Sequence, residues 1–209
     1  GEHTAAALLI TTGADHKHLG VPGEDELSGK GVSYCATCDG FFFRNRKVIM
    51  VGGGSTAAIE ALYLDGIDVD VGIVHRRDRL RAESALIDDL DKSEIPIHFN
   101  KRVIEIHGEK RVESVTLECT ESGEHTKMEV DGVFIAIGLK PNDILAKQLG
   151  LEMDEEGLVK VDAAFRTSNP RVFAAGDLIG GVRQAITAAA EGTIASLNVL
   201  PLLGKQYPW

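Results

Sequence analysis

The sequence predicts an α/β protein, with a parallel sheet flanked by helices and a small antiparallel meander. Three observations lead there. Between residues 47 and 99, short runs rich in Val and Ile alternate with stretches of helical spacing. One of those runs ends directly in three glycines at the start of a helical stretch. Farther on, residues 112–119 and 126–130 alternate in polarity across the polar turn 121–124.

Taken in order, residues 6–11 read as a short buried strand closed by Gly13. Residues 16–30 are polar and carry Pro22, Gly23 and Gly29, the composition of a linker. Residues 34–43 hold two cysteines and then three phenylalanines. A strand at 47–51 runs into Gly52-Gly53-Gly54, and the helix at 55–64 has Ala57, Ala58, Ala61 and Leu62 at helical spacing. Residues 69–74 form the next strand, and 81–90 a second helix with Ala82, Ala85, Leu86 and Leu90 on one side. A strand at 95–99 precedes the meander, and the apolar run 133–137 is stopped by Gly138. Pro141, Asn142, Asn169 and Pro170 punctuate short segments before a final alanine-rich helix at 184–203. The chain has no repeat and no low-complexity tract.

A length of 209 residues suits one or two small domains, and 44% apolar with 26% charged residues is ordinary for a globular chain. The net charge of −10 argues against a phosphate-backbone partner, so nucleic acid is not expected. No run of eighteen apolar residues is present, so no membrane span is expected. The first ten residues carry Glu2 and His3 without a basic region, so they do not read as a signal peptide. Three cysteines, two of them in one pair, do not make a secreted disulfide framework and point to the cytosol. Glycine is in excess, 23 residues, which signals tight turns or backbone that approaches a ligand closely.

Gly52-Gly53-Gly54-Ser55-Thr56-Ala57 fits G-x-G-x-x-A between a strand and a helix, the context a dinucleotide site requires. Gly52 is expected to allow the tight turn, Gly54 to admit a pyrophosphate, and Ala57 to let helix and strand pack closely. The free N–H groups at the helix start would hold the phosphates. An NAD site expects an acid about twenty residues on. Here the second strand ends in His75-Arg76-Arg77, with Arg81 one turn later, and guanidinium groups suit the 2′-phosphate of NADPH.

Cys35-Ala36-Thr37-Cys38-Asp39 is a C-x-x-C followed by an acid. A structural zinc site needs a second pair of ligands; Cys119 stands alone and no histidine has companion spacing, so no metal is expected. A redox disulfide needs only the pair. Asp39 could move a proton to or from a thiolate, or simply cap a turn. Cys119, on an alternating strand, reads as a small buried residue.

Together, residues 35–40, 52–57, 75–77 and 81 resemble the low-molecular-weight thioredoxin reductases, as do Ala174-Ala175-Gly176-Asp177 and Arg183-Gln184-Ala185. The resemblance runs through nearly the whole chain. It implies a Rossmann-like NADPH domain inserted in an FAD-binding domain, with residues 1–17 and 131–209 from the FAD domain and 18–130 from the NADPH domain. In that family Gly176-Asp177 lies where the acid binds the ribityl chain, Arg183-Gln184-Ala185 lies along the flavin, and Gly13 closes a strand of the FAD fold. The implied path runs from NADPH through FAD to the Cys35–Cys38 disulfide and on to thioredoxin or a thioredoxin-like protein. Cys38 would lie nearest the flavin, Cys35 would attack the partner disulfide, and Asp39 would be the acid/base. A homodimer is expected of the complete enzyme.

Members of the family also carry an earlier G-x-G-x-x-G turn for the FAD diphosphate, which these residues lack, so an incomplete FAD domain is expected. The strands at 7–11 and 133–137 would then be left with open edges. Hinges between the domains are expected near residues 20–31 and 130–132. Two other readings share the motifs: a flavoprotein that reduces a peroxiredoxin, and a non-catalytic NADPH-binding fragment.

Overall fold

The computed structural model describes residues 3–206, and the chain divides into two units, Gly1–Asp15 with Leu139–Trp209, and His16–Gly138. In chain order, β1 (Leu8–Ile10) and β2 (Ala14–His16) come first. Then come β3 (Val32–Ser33), α1 (Ala36–Asp39), a 3₁₀ turn (Gly40–Phe43), β4 (Lys47–Gly52), α2 (Ser55–Asp65) and β5 (Asp70–Val74). They are followed by α3 (Ser84–Lys92), β6 (Ile97–His98), β7 (Lys101–His107), β8 (Ser114–Cys119), β9 (His125–Glu129) and β10 (Gly132–Ala136). The chain closes with β11 (Leu139–Pro141), α4 (Ile144–Gln148), β12 (Val172–Ala174), a 3₁₀ turn (Gly176–Ile179), α5 (Ala185–Val199) and a last 3₁₀ turn (Leu200–Leu203).

The unit His16–Gly138 is built on a parallel five-stranded sheet in the order β3-β10-β4-β5-β6. Side chains alternate across a strand, and β4 uses both faces. Val48 and Met50 join Ala57, Ala58, Ala61 and Leu64 of α2 in one apolar cluster. Ile49 and Val51 join Val103, Ile106, Val115 and Leu117 of the antiparallel β7-β8-β9 meander in another. Helices, sheet and meander therefore form three layers. The small residues on α2 let the helix sit close to the sheet, which brings its N-terminus to the carboxyl end of β4.

Several expectations need correction. The run expected at 133–137 is β10, and it is paired on both sides, to β3 and to β4, so it has no open edge and belongs to this unit. The division expected at 130/131 falls at 138/139, and the one expected at 17/18 falls at 15/16, away from both supposed hinges. Residues 16–30 are not a linker. The carboxylate of Glu24, 2% exposed, accepts the Leu19 and Gly20 N–H groups and the Tyr34 hydroxyl, and Leu27 enters the core. The helix expected from 81 starts at Ser84, because the preceding backbone bonds elsewhere: Arg81 N–H to the Gly53 carbonyl at 2.6 Å, and Glu83 N–H to the Ser55 hydroxyl at 3.1 Å.

In the other unit β1 pairs in parallel with β12, Leu8 to Val172 and Ile10 to Ala174, and β2 pairs with β11. Its core holds Ile10, Ala146, Leu151, Val159, Val172, Ala174 and Leu178. The final helix tightens into 3₁₀ geometry at Leu200, where Pro201 removes a backbone donor. Against the expectation of no span, Ala185–Leu203 has the length and composition to cross a membrane, with mean hydropathy 1.4 and only 6% of it buried. Within this unit Glu191 of that helix accepts the Gly176 N–H at 2.9 Å, and Ala195 is fully buried.

Candidate active site

The motifs expected in the sheet unit all follow the carboxyl ends of parallel strands: the cysteine pair follows β3, the glycine turn β4 and the arginines β5. That edge is where open α/β sheets hold ligands.

At the glycine turn none of the three glycines has a positive φ, so steric room explains them. A Cβ on Gly52 would strike the Ala136 carbonyl and the Ala57 side chain, and one on Gly53 would strike the His75 ring. Gly54, the N-cap of α2, has nothing within 4 Å of such a Cβ, which leaves open space beside the start of the helix. Gly52 thus serves close strand–helix–strand packing, and Gly54 keeps the approach clear. Ser55 and Thr56 begin the helix and Ala57 is buried against the sheet.

His75, expected beside the cofactor, is 5% exposed and packs beneath Gly53. Burial holds its pKa below the ordinary value, and the charges of Arg81 and Arg77 act in the same direction. A neutral ring supporting the turn is the result. Arg76, Arg77, Arg79 and Arg81 are exposed. Their loop is stitched down through backbone atoms: Asn100 N–H to the Arg77 carbonyl, the Thr120 hydroxyl to the Arg76 carbonyl, and Arg81 N–H to Gly53. The guanidinium groups therefore stand on an anchored loop beside the glycine turn.

Cys35 and Cys38 form a disulfide with their Cα atoms 5.3 Å apart. Cys35 is the N-cap of α1, its sulfur accepting the Cys38 N–H at 3.2 Å. Asp39 is half-buried, and its carboxylate accepts the Ser33 hydroxyl at 2.6 Å; that hydroxyl also accepts the Cys35 N–H. Ser33 thus ties the acid to the cysteine turn. Cys119 is half-buried rather than buried, and hydrogen bonds from Ser122 and the Glu121 backbone lower its thiol pKa.

In the other unit, Gly13 and Gly176-Asp177 follow the carboxyl ends of the paired strands β1 and β12, and both glycines have positive φ. Arg183 has φ 57°, its Nε is buried without a partner, and its Nη2 lies 4.0 Å from Glu156. Gln184 caps α5 in a reciprocal capping box with Thr187, and Ala185 is the first helical residue.

The profile of the pyridine nucleotide-disulphide oxidoreductases matches residues 1–192 of this chain. The chain belongs to that family. A thioredoxin reductase of Streptomyces clavuligerus is 46% identical over 199 residues, covering 94% of this chain and 62% of that protein. One of Escherichia coli O157:H7 is 45% identical, covering 95% of this chain and 65% of that protein. Among solved structures, a thioredoxin reductase of Streptococcus pyogenes has a TM-score of 0.87 at 40% identity, covering 95% of this chain and 65% of that one. One of Giardia duodenalis has 0.88 at 37% identity, covering 95% and 66%. The chain thus spans a little under two thirds of the length of these relatives.

For a pyridine nucleotide-disulphide oxidoreductase, sequence reasoning missed four features. Ser33 holds Asp39, and Arg79 extends the arginine loop. Phe41 and Phe42, noted only as part of an aromatic run, are 67% and 74% exposed right after the cysteine pair. Glu60 of α2 has a buried, unpartnered carboxyl oxygen. Only the phenylalanines carried a signal in the sequence, as large apolar residues in a polar setting.

Proposed function

We propose that this chain carries the NADPH site and the redox disulfide of a thioredoxin-disulfide reductase, with FAD as the second cofactor. The observation that supports this best is a C-x-x-C disulfide on the same sheet edge as a dinucleotide-type glycine turn and an anchored arginine loop. The residues fit NADPH: the space before Gly54 admits a pyrophosphate at the N-terminus of α2, and Arg76, Arg77 and Arg81 suit a 2′-phosphate. Gly13, Gly176, Asp177, Arg183, Gln184 and Ala185 fit part of an FAD site, the buried and unpartnered Arg183 Nε being a donor that a flavin oxygen would satisfy. When bound, the two cofactors supply the two-electron chemistry that reduces the disulfide.

The chain's own residues then act on sulfur. Cys35 attacks a disulfide of the protein substrate, forming a mixed disulfide, and Cys38 resolves it by attacking the Cys35 sulfur. Asp39, held by Ser33, moves the proton to or from the sulfur that leaves or attacks. Phe41 and Phe42 offer an apolar surface for thioredoxin or a thioredoxin-like protein beside the pair. Residues 16–138 form the NADPH domain, and the flanking segments belong to the FAD domain of a homodimeric enzyme. A reducing cytoplasm suits an accessible pair of this kind.

The test uses the full chain. Dithiothreitol should raise the thiol count from one to three, NADPH should bind more tightly than NADH, and the reduced pair should pass its electrons to oxidised thioredoxin in a single turnover. A pair inert to dithiothreitol, or reduced protein that leaves thioredoxin oxidised, refutes the reading.

A further inference from the structure

The antiparallel meander holds no residue assigned above to a cofactor or to sulfur chemistry, yet its turns carry the loop on which the arginines stand. Between β5 and α3 the chain has no regular structure of its own, so the placement of Arg76 and Arg77 depends on what that loop bonds to. Three hydrogen bonds close a ring through it. The Asn100 N–H donates to the Arg77 carbonyl at 3.1 Å, the Thr120 N–H to the Asn100 carbonyl at 2.8 Å, and the Thr120 hydroxyl to the Arg76 carbonyl at 3.2 Å. The pairing of Lys101 with Cys119, where β7 begins and β8 ends, sets Asn100 and Thr120 side by side. Asn100 has φ 52°, in the left-handed region that Asn visits more readily than most residues, and its amide donates to the Glu121 carboxylate at 3.0 Å. Two links of the ring are backbone to backbone. The third is the exposed side chain of Thr120, so it can be removed while the others remain.

We propose that Thr120 is a positioning residue for cofactor choice: by tying the Arg76 carbonyl to the meander, it sets the preference for NADPH over NADH. The proposal rests on the reading that the arginine loop takes the 2′-phosphate. A guanidinium reaches an anion through a long and flexible side chain, so the backbone beneath it must be fixed if the pair is to form without a further ordering cost at binding. The hydrogen-bonded ring fixes that backbone when the protein folds. NADH has no 2′-phosphate and makes no demand on Arg76 or Arg77. The glycine turn that would hold the pyrophosphate lies outside the ring, and Arg81 is tied separately, through its N–H, to the Gly53 carbonyl. Loss of the Thr120 hydroxyl should therefore weaken the phosphate-dependent part of binding and spare the part common to both cofactors.

The full chain is titrated by calorimetry with NADPH and with NADH, as the wild type, as Thr120→Val, which keeps the branched shape and loses the hydroxyl, and as Thr120→Ser, which keeps the hydroxyl. Thr120→Val should bind NADPH about two- to tenfold more weakly and NADH as the wild type does, and Thr120→Ser should restore the NADPH affinity. An unchanged ratio of the two affinities in Thr120→Val, or an equal loss for both cofactors, overturns the proposal. A second measurement needs no variant. In the wild type saturated with either cofactor, amide hydrogen exchange at Asn100 and Thr120, whose N–H groups belong to the ring, should be slower with NADPH than with NADH. Equal exchange with the two contradicts the coupling. If the wild type binds NADPH no better than NADH, the reading of the arginine loop itself fails, which is distinguishable from a wild type that discriminates and a Thr120→Val that discriminates equally well.

Discussion

Arg76, Arg77, Arg79 and Arg81 make no ion pair among the described residues, so their charges are available to an incoming anion. A charge-assisted contact to the 2′-phosphate contributes about 1.5–3 kcal/mol, so Arg76→Ala should weaken NADPH binding by roughly 10- to 150-fold and leave NADH unchanged. Titrating both cofactors against both proteins checks this, and equal wild-type affinity for the two contradicts it. Glu60 gives a pH signature. Its folded pKa is raised from 4.5 to about 7, so the folded state binds the proton more tightly than the unfolded chain. That contribution to stability is fully present below 4.5 and is lost as the pH rises through about 7. Denaturant unfolding across this range should show a smaller loss of stability with rising pH in Glu60→Gln than in the wild type. The arginines and cysteines could be read from the sequence because their chemistry is explicit in residue type and spacing. Glu60 could not be, since the burial of its carboxyl oxygen is a matter of tertiary packing that helical periodicity does not encode.

At the scale of elements, the three glycines of the turn are not equivalent. Ala at Gly52 or Gly53 drives a methyl into the Ala136 carbonyl or the His75 ring, and overpacking of this kind costs about 1–3 kcal/mol. Ala at Gly54 meets nothing, so Gly54→Ala should unfold like the wild type yet bind NADPH more weakly, because its methyl occupies the phosphate approach. Thermal melts and cofactor titrations of the three variants separate these outcomes. The β4–α2–β5 unit was legible because apolar runs, glycines and alanine spacing all agree there. Strand β7, with Lys101, Arg102 and Glu105 exposed or half-exposed among its apolar residues, was not, and neither were α4 and the two-residue β3. The apolar run that became β10 was visible but assigned to the wrong unit. Its partners in β3 and β4 lie far away in sequence, and parallel pairing across such distances leaves no local mark.

For the whole molecule, the unit His16–Gly138 contains both clusters that flank its sheet and every residue proposed above to hold NADPH. A polypeptide of residues 16–138 should therefore fold and bind NADPH about as well as the full chain, measured by calorimetry. The residues proposed for FAD number few and lie in the other unit, without a second glycine turn of the G-x-G-x-x-A type between a strand and a helix among the described residues. The 209-residue polypeptide should accordingly hold FAD weakly. Tight flavin absorbance retained through gel filtration would show that those residues suffice.

Strand β10 lies between β3 and β4, yet it is the last strand of its unit to be made. On the ribosome, β3 and then β4 must wait with their facing edges unpaired through the synthesis of α2, α3 and the whole meander. Only when Ala136 has cleared the exit tunnel can the sheet close. Long-range parallel pairing is slow, and unpaired edges attract other chains, so nascent chains arrested just short of β10 are the species most exposed to chaperones and to aggregation.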